Sequence, residues 1–370
     1  MMAPLTPALK RDYRAVSYAL TSAAVGLIIM RILVYFLPID TSTYGGELSS
    51  NAFFTLITQL VFFLAVPFCV YKFYGKRTVK ETLEFSSVHG FKKYHLLAIP
   101  LGFCALVLTI GISSSWANFL RMTGYNMPSS STDKPETLNA GFLIADIILT
   151  AAIPAVCEEF VMRGGLLTTA KSTFGTVGCV VLCGVAFGLF HQNVKQVFYT
   201  ALFGAAAGFL TLKLKSIFPA MIMHFSNNFF SVLLDYATDY NWAVGGNTYN
   251  FINTVAATRP WALFLIFFSV LGIAVGLVLI MLYMREKAVI KRKIETLKDS
   301  AFDTTKKRVV LMGEFDEERV RELEMERQVY GADYQEEKYK PAPRDVMIII
   351  AVGVVTLLTT VFTYVWGFFY

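Results

Sequence analysis

The chain has 370 residues, of which 55% are hydrophobic and only 16% are charged, and its formal net charge is +6. A soluble domain usually carries about 25% charged residues, so this composition excludes an ordinary soluble enzyme and predicts a polytopic membrane protein. In such a protein the placement of basic residues reports orientation rather than nucleic-acid binding, and no nucleic-acid partner is expected. The five cysteines all lie in apolar stretches, where we expect buried free thiols rather than a disulfide framework.

Nine apolar stretches approach the roughly 20 residues that a membrane-spanning helix needs. They are 16–38, 51–72, 95–116, 140–161, 174–191, 197–213, 217–236, 260–284 and 346–369. The predicted fold class is therefore all-α, a polytopic transmembrane helix bundle of about eight core helices plus one extra C-terminal transmembrane helix. The fifth and sixth stretches each carry two glycines four residues apart. We expect these two helices to pack closely inside the bundle.

Basic residues are concentrated in alternate loops. They occur in the N-terminal arm and after the second, sixth and eighth stretches, whereas 39–50 and 237–258 contain no Lys or Arg. The positive-inside rule then places the N-terminus in the cytoplasm and the C-terminus outside. Because no organellar presequence is evident, a bacterial plasma membrane is the expected location.

The chain divides into three parts. Residues 1–284 form the predicted helix bundle, with a motif core at 140–235. Residues 285–345 form a charged cytoplasmic helical segment, in which a basic run is followed by an acidic stretch. A solvated helix is the favoured interpretation of this segment, and a partner-binding or regulatory role is the alternative. Residues 346–370 are predicted to be a C-terminal transmembrane anchor.

The fourth stretch ends in two adjacent carboxylates, Glu158 and Glu159. Ionisable groups inside a membrane segment usually mark a functional site. Consecutive residues on a helix point about 100° apart, so the two carboxylates cannot share one task. Glu159 and Arg163 have the i,i+4 spacing of a helical ion pair, which favours a structural role. Glu158 has no partner nearby in the sequence and is the candidate general base.

Two further apolar helices carry polar side chains. His191 ends the fifth stretch, and His224 and Asn228 are four residues apart on one face of the seventh. A lone histidine is more often a satisfied core residue, and a histidine–amide pair in a membrane more often joins helices. With Glu158, however, these side chains form an acid–base set that packing does not require. The other two histidines are expected at the surface of a basic loop: His89 and His95.

These motifs resemble those of the CAAX protease and bacteriocin-processing family of intramembrane endopeptidases, also called the Abi family. The resemblance covers roughly residues 140–235. The family motifs Glu-Glu-x-x-x-Arg, Phe-x-x-x-His and His-x-x-x-Asn are matched by Glu158, Glu159 and Arg163, by Phe187 and His191, and by His224 and Asn228.

The resemblance implies hydrolysis of a peptide bond in a hydrophobic or lipidated, membrane-tethered protein. Glu158 would activate the attacking water with help from His191, and His224 and Asn228 would stabilise the oxyanion. Glu159, Arg163 and Phe187 would give structural support. For these groups to meet, either the fifth stretch must start deeper than drawn or the bundle must hold a water-filled cavity. We expect the cavity, opening toward the cytoplasm.

Two alternatives remain open from the sequence. Glu158, His191 and His224 could instead be ligands of a catalytic zinc. We favour a metal-free glutamate mechanism because the compact His-Glu-x-x-His motif is missing. The protein could also be a non-catalytic membrane scaffold or a bacteriocin-immunity protein with the same fold.

Overall fold

The computed structural model describes residues 7–36, 42–88, 90–125, 134–171, 174–242, 254–255, 258–303 and 343–366. His89 and the acidic part of the charged segment, at 314–324, lie outside these residues. The described residues contain helices and no strand, which confirms the all-α fold class.

Ten helices organise the described part of the chain. They are α1 (Pro7–Tyr35), α2 (Tyr44–Tyr74), α3 (Val79–Phe85), α4 (Ala98–Met122), α5 (Ala140–Ala170), α6 (Thr176–Phe190), α7 (Val197–Leu214), α8 (Phe218–Asp239), α9 (Pro260–Asp303) and α10 (Pro343–Trp366). Each of the nine predicted spans falls on one of these helices, and α3 is a short addition between spans. Six helical stretches are long and apolar enough to cross a membrane, and two shorter ones are apolar. The chain is thus an integral multi-pass membrane protein.

The second and fifth helices contain π-helical turns. Leu56–Ala65 and Val70–Tyr74 are π-helical within α2, and Ile147–Ala152 and Phe160–Leu167 are π-helical within α5. Such turns widen a helix locally and often occur at functional sites. No feature of the sequence had predicted them.

The fifth helix extends farther than predicted. We expected it to end at residue 161, but it continues to Ala170. We had placed the helix end before Arg163, where we expected the chain to meet water. Instead, all eight residues of Phe160–Leu167, including Arg163, are buried. The prediction that Glu158 lies near the helix end was therefore wrong. It lies twelve residues before Ala170, which corresponds to about 18 Å along the helix axis.

The helices α6 and α7 make the closest helix–helix contact near the site. A Cβ atom added to Gly188 would lie 2.6 Å from the carbonyl oxygen of Val197, and one added to Gly204 would lie 2.6 Å from the Cβ of Phe187. Only glycine fits at either position. The predicted close packing of the two helices is confirmed, and it fixes Phe187 against α7.

One end of the bundle, which we name the basic side, carries the start of α1, the loop from 75 to 93 and the link between α7 and α8. The loop from 75 to 93 packs under α5, where a Cβ added to Gly164 would lie 2.9 Å from the Cβ of Ser86. His95 at the end of this loop is fully buried, so its predicted surface position was wrong. Its Nδ1 accepts a hydrogen bond of 3.1 Å from the backbone N–H of Lys92.

Candidate active site

The centre of the site is a buried carboxylate, Glu159, which is fully shielded from solvent. Its Oε1 lies 3.1 Å from Nη1 of Arg163 and 2.9 Å from Nδ1 of His224. The ion pair that the i,i+4 spacing predicts is present, but the contact with His224 was not predicted. Because a carboxylate accepts, Nδ1 of His224 carries the proton in this contact. Glu159 therefore fixes the orientation of a ring that belongs to a different helix.

The Arg163 guanidinium connects three helices. Its Nη2 donates to the carbonyl oxygen of Gly204 on α7 at 2.9 Å, and its Cζ lies 4.6 Å from the ring centroid of Phe187 on α6. The Phe187 ring in turn makes edge contacts with the rings of His191 at 4.9 Å and His224 at 5.7 Å. Arg163 and Phe187 thus hold both histidines in place through packing.

The His191 ring lies at the C-terminal end of α6. Its Nδ1 is 2.8 Å from the carbonyl oxygen of Phe187. Because a carbonyl only accepts, Nδ1 is the donor, and in a neutral ring Nε2 then keeps a lone pair. Nη2 of Arg31 donates to the carbonyl oxygen of His191 at 3.1 Å. The ring interacts electrostatically with Glu158 and with His224.

The Glu158 carboxylate is half-buried and has a partner that sequence reasoning missed. Nε2 of Gln59, a buried residue in a π-helical turn of α2, donates to its Oε1 at 2.8 Å. The sequence did contain a signal for this contact: Gln59 is an amide in the middle of an apolar span, and polar groups in lipid usually have a polar partner or a functional role. The contact ties the candidate base to a helix outside the predicted motif core.

The Asn228 amide is held on both sides. Its Nδ2 donates to the carbonyl oxygen of Thr150 on α5 at 2.9 Å, and its Oδ1 accepts from Nδ2 of Asn227 at 2.9 Å. An amide nitrogen has two N–H groups, so one remains for a ligand. Asn227 was also missed, although it directly precedes the motif residue.

A cavity of about 350 Å³ joins these groups. His191, His224, Asn227 and Asn228 all line it, as does Phe187. The structure therefore brings both predicted histidines and the predicted amide to one space. Glu158 is not among the residues that line this cavity, and its link to the other groups is its electrostatic interaction with His191.

A second cavity, of about 680 Å³, adjoins the first. Thr150 and Ser231 line both cavities. The second cavity is also lined by Asp146, Tyr236 and Lys134, so its walls are strongly polar.

The alternative to a metal-free mechanism was a zinc site formed by Glu158, His191 and His224. Within the described residues, no group of three or more His, Cys, Asp or Glu side chains is arranged to hold a metal ion. The choice between a metal-free mechanism and zinc bound by these three residues stays a prediction. The catalytic steps proposed below use no metal.

Comparison with known families supports the resemblance over this part of the chain. Residues 140–230 match the family model described as type II CAAX prenyl endopeptidase Rce1-like. The matched region contains all three motifs and the helices that build the cavity, so the resemblance to the CAAX protease family is confirmed there. Residues 140–230 of this membrane protein are therefore similar to the CAAX protease type. No curated protein and no solved structure matched the chain.

Proposed function

We propose that this protein is an intramembrane endopeptidase, which hydrolyses a peptide bond in a hydrophobic or membrane-tethered, CAAX-like protein or peptide. The observation that carries this proposal is the shared cavity: His191, His224 and Asn228 line one polar space inside a bundle of apolar helices. Placing polar groups inside the membrane costs free energy, so membrane proteins usually carry them at functional sites. The Rce1-like match supports the same activity class.

The proposed nucleophile is water, activated by Glu158. The carboxylate takes a proton from the water as the oxygen attacks the peptide carbonyl carbon. The proton then passes to the peptide nitrogen as the C–N bond breaks, which leaves a new carboxyl end and a new amine. His191 assists through Nε2, whose lone pair remains after Nδ1 donates to Phe187. A positioned acid–base group typically contributes about 10²–10⁴-fold in rate.

The tetrahedral oxyanion would be stabilised by His224 and Asn228. Nδ1 of His224 donates to Glu159, so the proposed contact of His224 with the oxyanion uses its other ring nitrogen, Nε2. The amide of Asn228 keeps one N–H for the oxyanion after its bond to Thr150. Hydrogen-bond donors that point at a developing negative charge stabilise the transition state most strongly where water is scarce.

The proposed mechanism uses no metal, and the expected substrates are hydrophobic or lipidated tails within the lipid. We expect purified protein to keep its activity after treatment with a chelator. Loss of activity that added zinc restores would contradict the metal-free mechanism.

The experiment compares membranes that contain wild-type protein with membranes that contain Glu158→Gln, and mass spectrometry searches for a tail that changes length. The matched control is Glu84→Gln, whose side chain is 54% exposed on α3. We expect processing by wild type and Glu84→Gln and none by Glu158→Gln at equal expression. A phenotype that survives Glu158→Gln without any processing would favour the scaffold or immunity protein.

A further inference from the structure

The candidate site is closed on the basic side. The last part of α5 is buried throughout, from Phe160 to Leu167. Tyr71 of α2 lies against Gly165 of α5. The loop from 75 to 93 is joined to the link between α7 and α8, because the backbone N–H of Ile217 donates to the carbonyl oxygen of Ser87 at 3.1 Å. At this end of the described bundle, the last part of α5 is therefore packed against other segments of the protein.

Within the residues that the structure describes, the site faces the other end of the bundle, which we name the opposite side. There α4, α6 and α8 end and α7 begins. The first cavity is lined by Ser113, His191, Gln196 and Ser231, which lie toward the opposite side, and it also reaches His224 in the other half of α8. The second cavity continues from Ser231 to Asp239 and Tyr240 at the end of α8. The two cavities share Thr150 and Ser231, and together they extend from this end toward the histidines.

The route is polar along its length. Lys134 binds the carboxylates of Asp235 and Asp239, the latter at 2.5 Å. Deeper in the route, the Tyr236 hydroxyl donates to the Asp146 carboxylate at 2.7 Å. Burial acts to lower the pKa of Lys134, but its bonds with the two aspartates outweigh burial and raise that pKa. Charged and hydroxyl groups of this kind line water-filled space in membrane proteins.

The basic residues of the connecting loops lie at the closed end. Lys76, Arg77 and Lys80 follow α2, and Lys213 and Lys215 link α7 to α8. The positive-inside rule assigns such an end to the cytoplasm. We expected a cytoplasmic N-terminus and also a cavity that opens toward the cytoplasm. Both cannot hold in this structure, because the start of α1 and the cavities lie toward opposite ends of the bundle.

We infer that the active site is reached from the side of the membrane opposite the cytoplasm. The substrate would then be a hydrophobic or lipid-anchored polypeptide whose cleaved segment lies on the extracytoplasmic side. The assignment of a substrate rests on the proposed function, whereas the direction of access rests on the cavities and the loop charges alone.

The test is cysteine accessibility in intact cells. In a background where the exposed Cys69 is replaced by serine, one variant carries Ser231→Cys in the wall of both cavities. A second carries Asn51→Cys in the wall of the second cavity. The matched control is Lys80→Cys on the basic side, where the side chain is 86% exposed. The probe is a charged maleimide that does not cross membranes.

We expect Ser231→Cys and Asn51→Cys to react in intact cells and Lys80→Cys to react only after permeabilisation. The reverse pattern would overturn the orientation. Labelling of Asn51→Cys but not of Ser231→Cys, in protein that folds normally, would overturn the continuous route.

A second arm separates access from catalysis. Two reporters present the same hydrophobic segment, one on each side of the membrane, and we expect cleavage of the extracytoplasmic reporter. Cleavage of the cytoplasmic reporter alone would overturn the inference and leave the proposed function standing. Cleavage of neither, with the labelling pattern as expected, would contradict the proposed function and leave the direction of access standing.

Discussion

At the scale of single residues, the two adjacent glutamates have different surroundings. Glu159 is fully buried and bonds to Arg163 and His224, whereas Glu158 is half-buried and accepts from Gln59. The sequence predicted that the two would differ, because adjacent helical residues point about 100° apart. It predicted the partner in the same helix and missed those from α2 and α8, since contacts between helices have no fixed spacing in the sequence.

The ion pair of Glu159 and Arg163 gives a prediction for stability. Arg163→Met leaves a buried carboxylate without its cation, and we expect the free energy of unfolding to fall by about 3–5 kcal/mol. Denaturant unfolding in detergent measures this change. The matched control is Lys80→Met, because the Lys80–Glu84 pair is exposed and its atoms are 3.9 Å apart, so its loss should cost at most about 1 kcal/mol.

A double variant separates the ion pair from simple packing. Adding Glu159→Gln to Arg163→Met removes the unpaired charge, and part of the lost stability should return. Equal stability of Arg163→Met and wild type would contradict the structural role of the pair.

The contact between Gln59 and Glu158 gives a prediction for catalysis. Gln59→Leu removes the donor that orients the carboxylate, and a small misplacement of a reacting group can cost about 10²-fold in rate. We expect kcat to fall by up to that factor, with KM unchanged, in cleavage of a hydrophobic peptide by purified protein. Thr58→Val is the matched control, because the buried Thr58 hydroxyl donates only within its own helix, to Phe54 and Thr55. Equal kcat for both variants would remove Gln59 from the site.

At the scale of helices, hydrophobic length predicted every span in the described residues, and the small-residue spacing predicted the α6–α7 contact. The π-helical turns could not be predicted, because they depend on tertiary packing rather than on composition. The length of α5 was missed for a related reason. In the sequence, a charged residue such as Arg163 indicates the point where a helix leaves the membrane. In the structure, Arg163 is buried and donates to Glu159 and to the carbonyl oxygen of Gly204, so the helix continues past it inside the bundle.

The α6–α7 contact gives a prediction for helix packing. Gly188→Ala places a methyl group 2.6 Å from the Val197 carbonyl oxygen, and such overpacking should lower the stability by about 1–3 kcal/mol. Thermal unfolding in detergent measures the effect. Gly272→Ala on α9 is the matched control, because a Cβ there meets no atom within 4 Å. A shift in the control as large as that in Gly188→Ala would show that the close contact is not the cause.

At the scale of the whole molecule, the parts of the site come from helices far apart in the chain. Gln59 on α2, His191 on α6 and Asn228 on α8 surround the middle of α5, and all but the first lie in the matched region at 140–230. The motifs predicted which residues from that region belong together. They could not predict which end of the bundle is open, because that depends on how the loop from 75 to 93 packs under α5.

The central claim is that Glu158 activates the water that hydrolyses a peptide bond at this site. The most direct measurement is cleavage of a hydrophobic peptide by purified, full-length protein in water enriched in heavy oxygen, followed by mass spectrometry of the products. We predict that wild type places the heavy oxygen in the new carboxyl end, and that Glu158→Gln, folded as wild type, is slower by about 10²–10⁴-fold. Cleavage by Glu158→Gln at the wild-type rate would contradict the account.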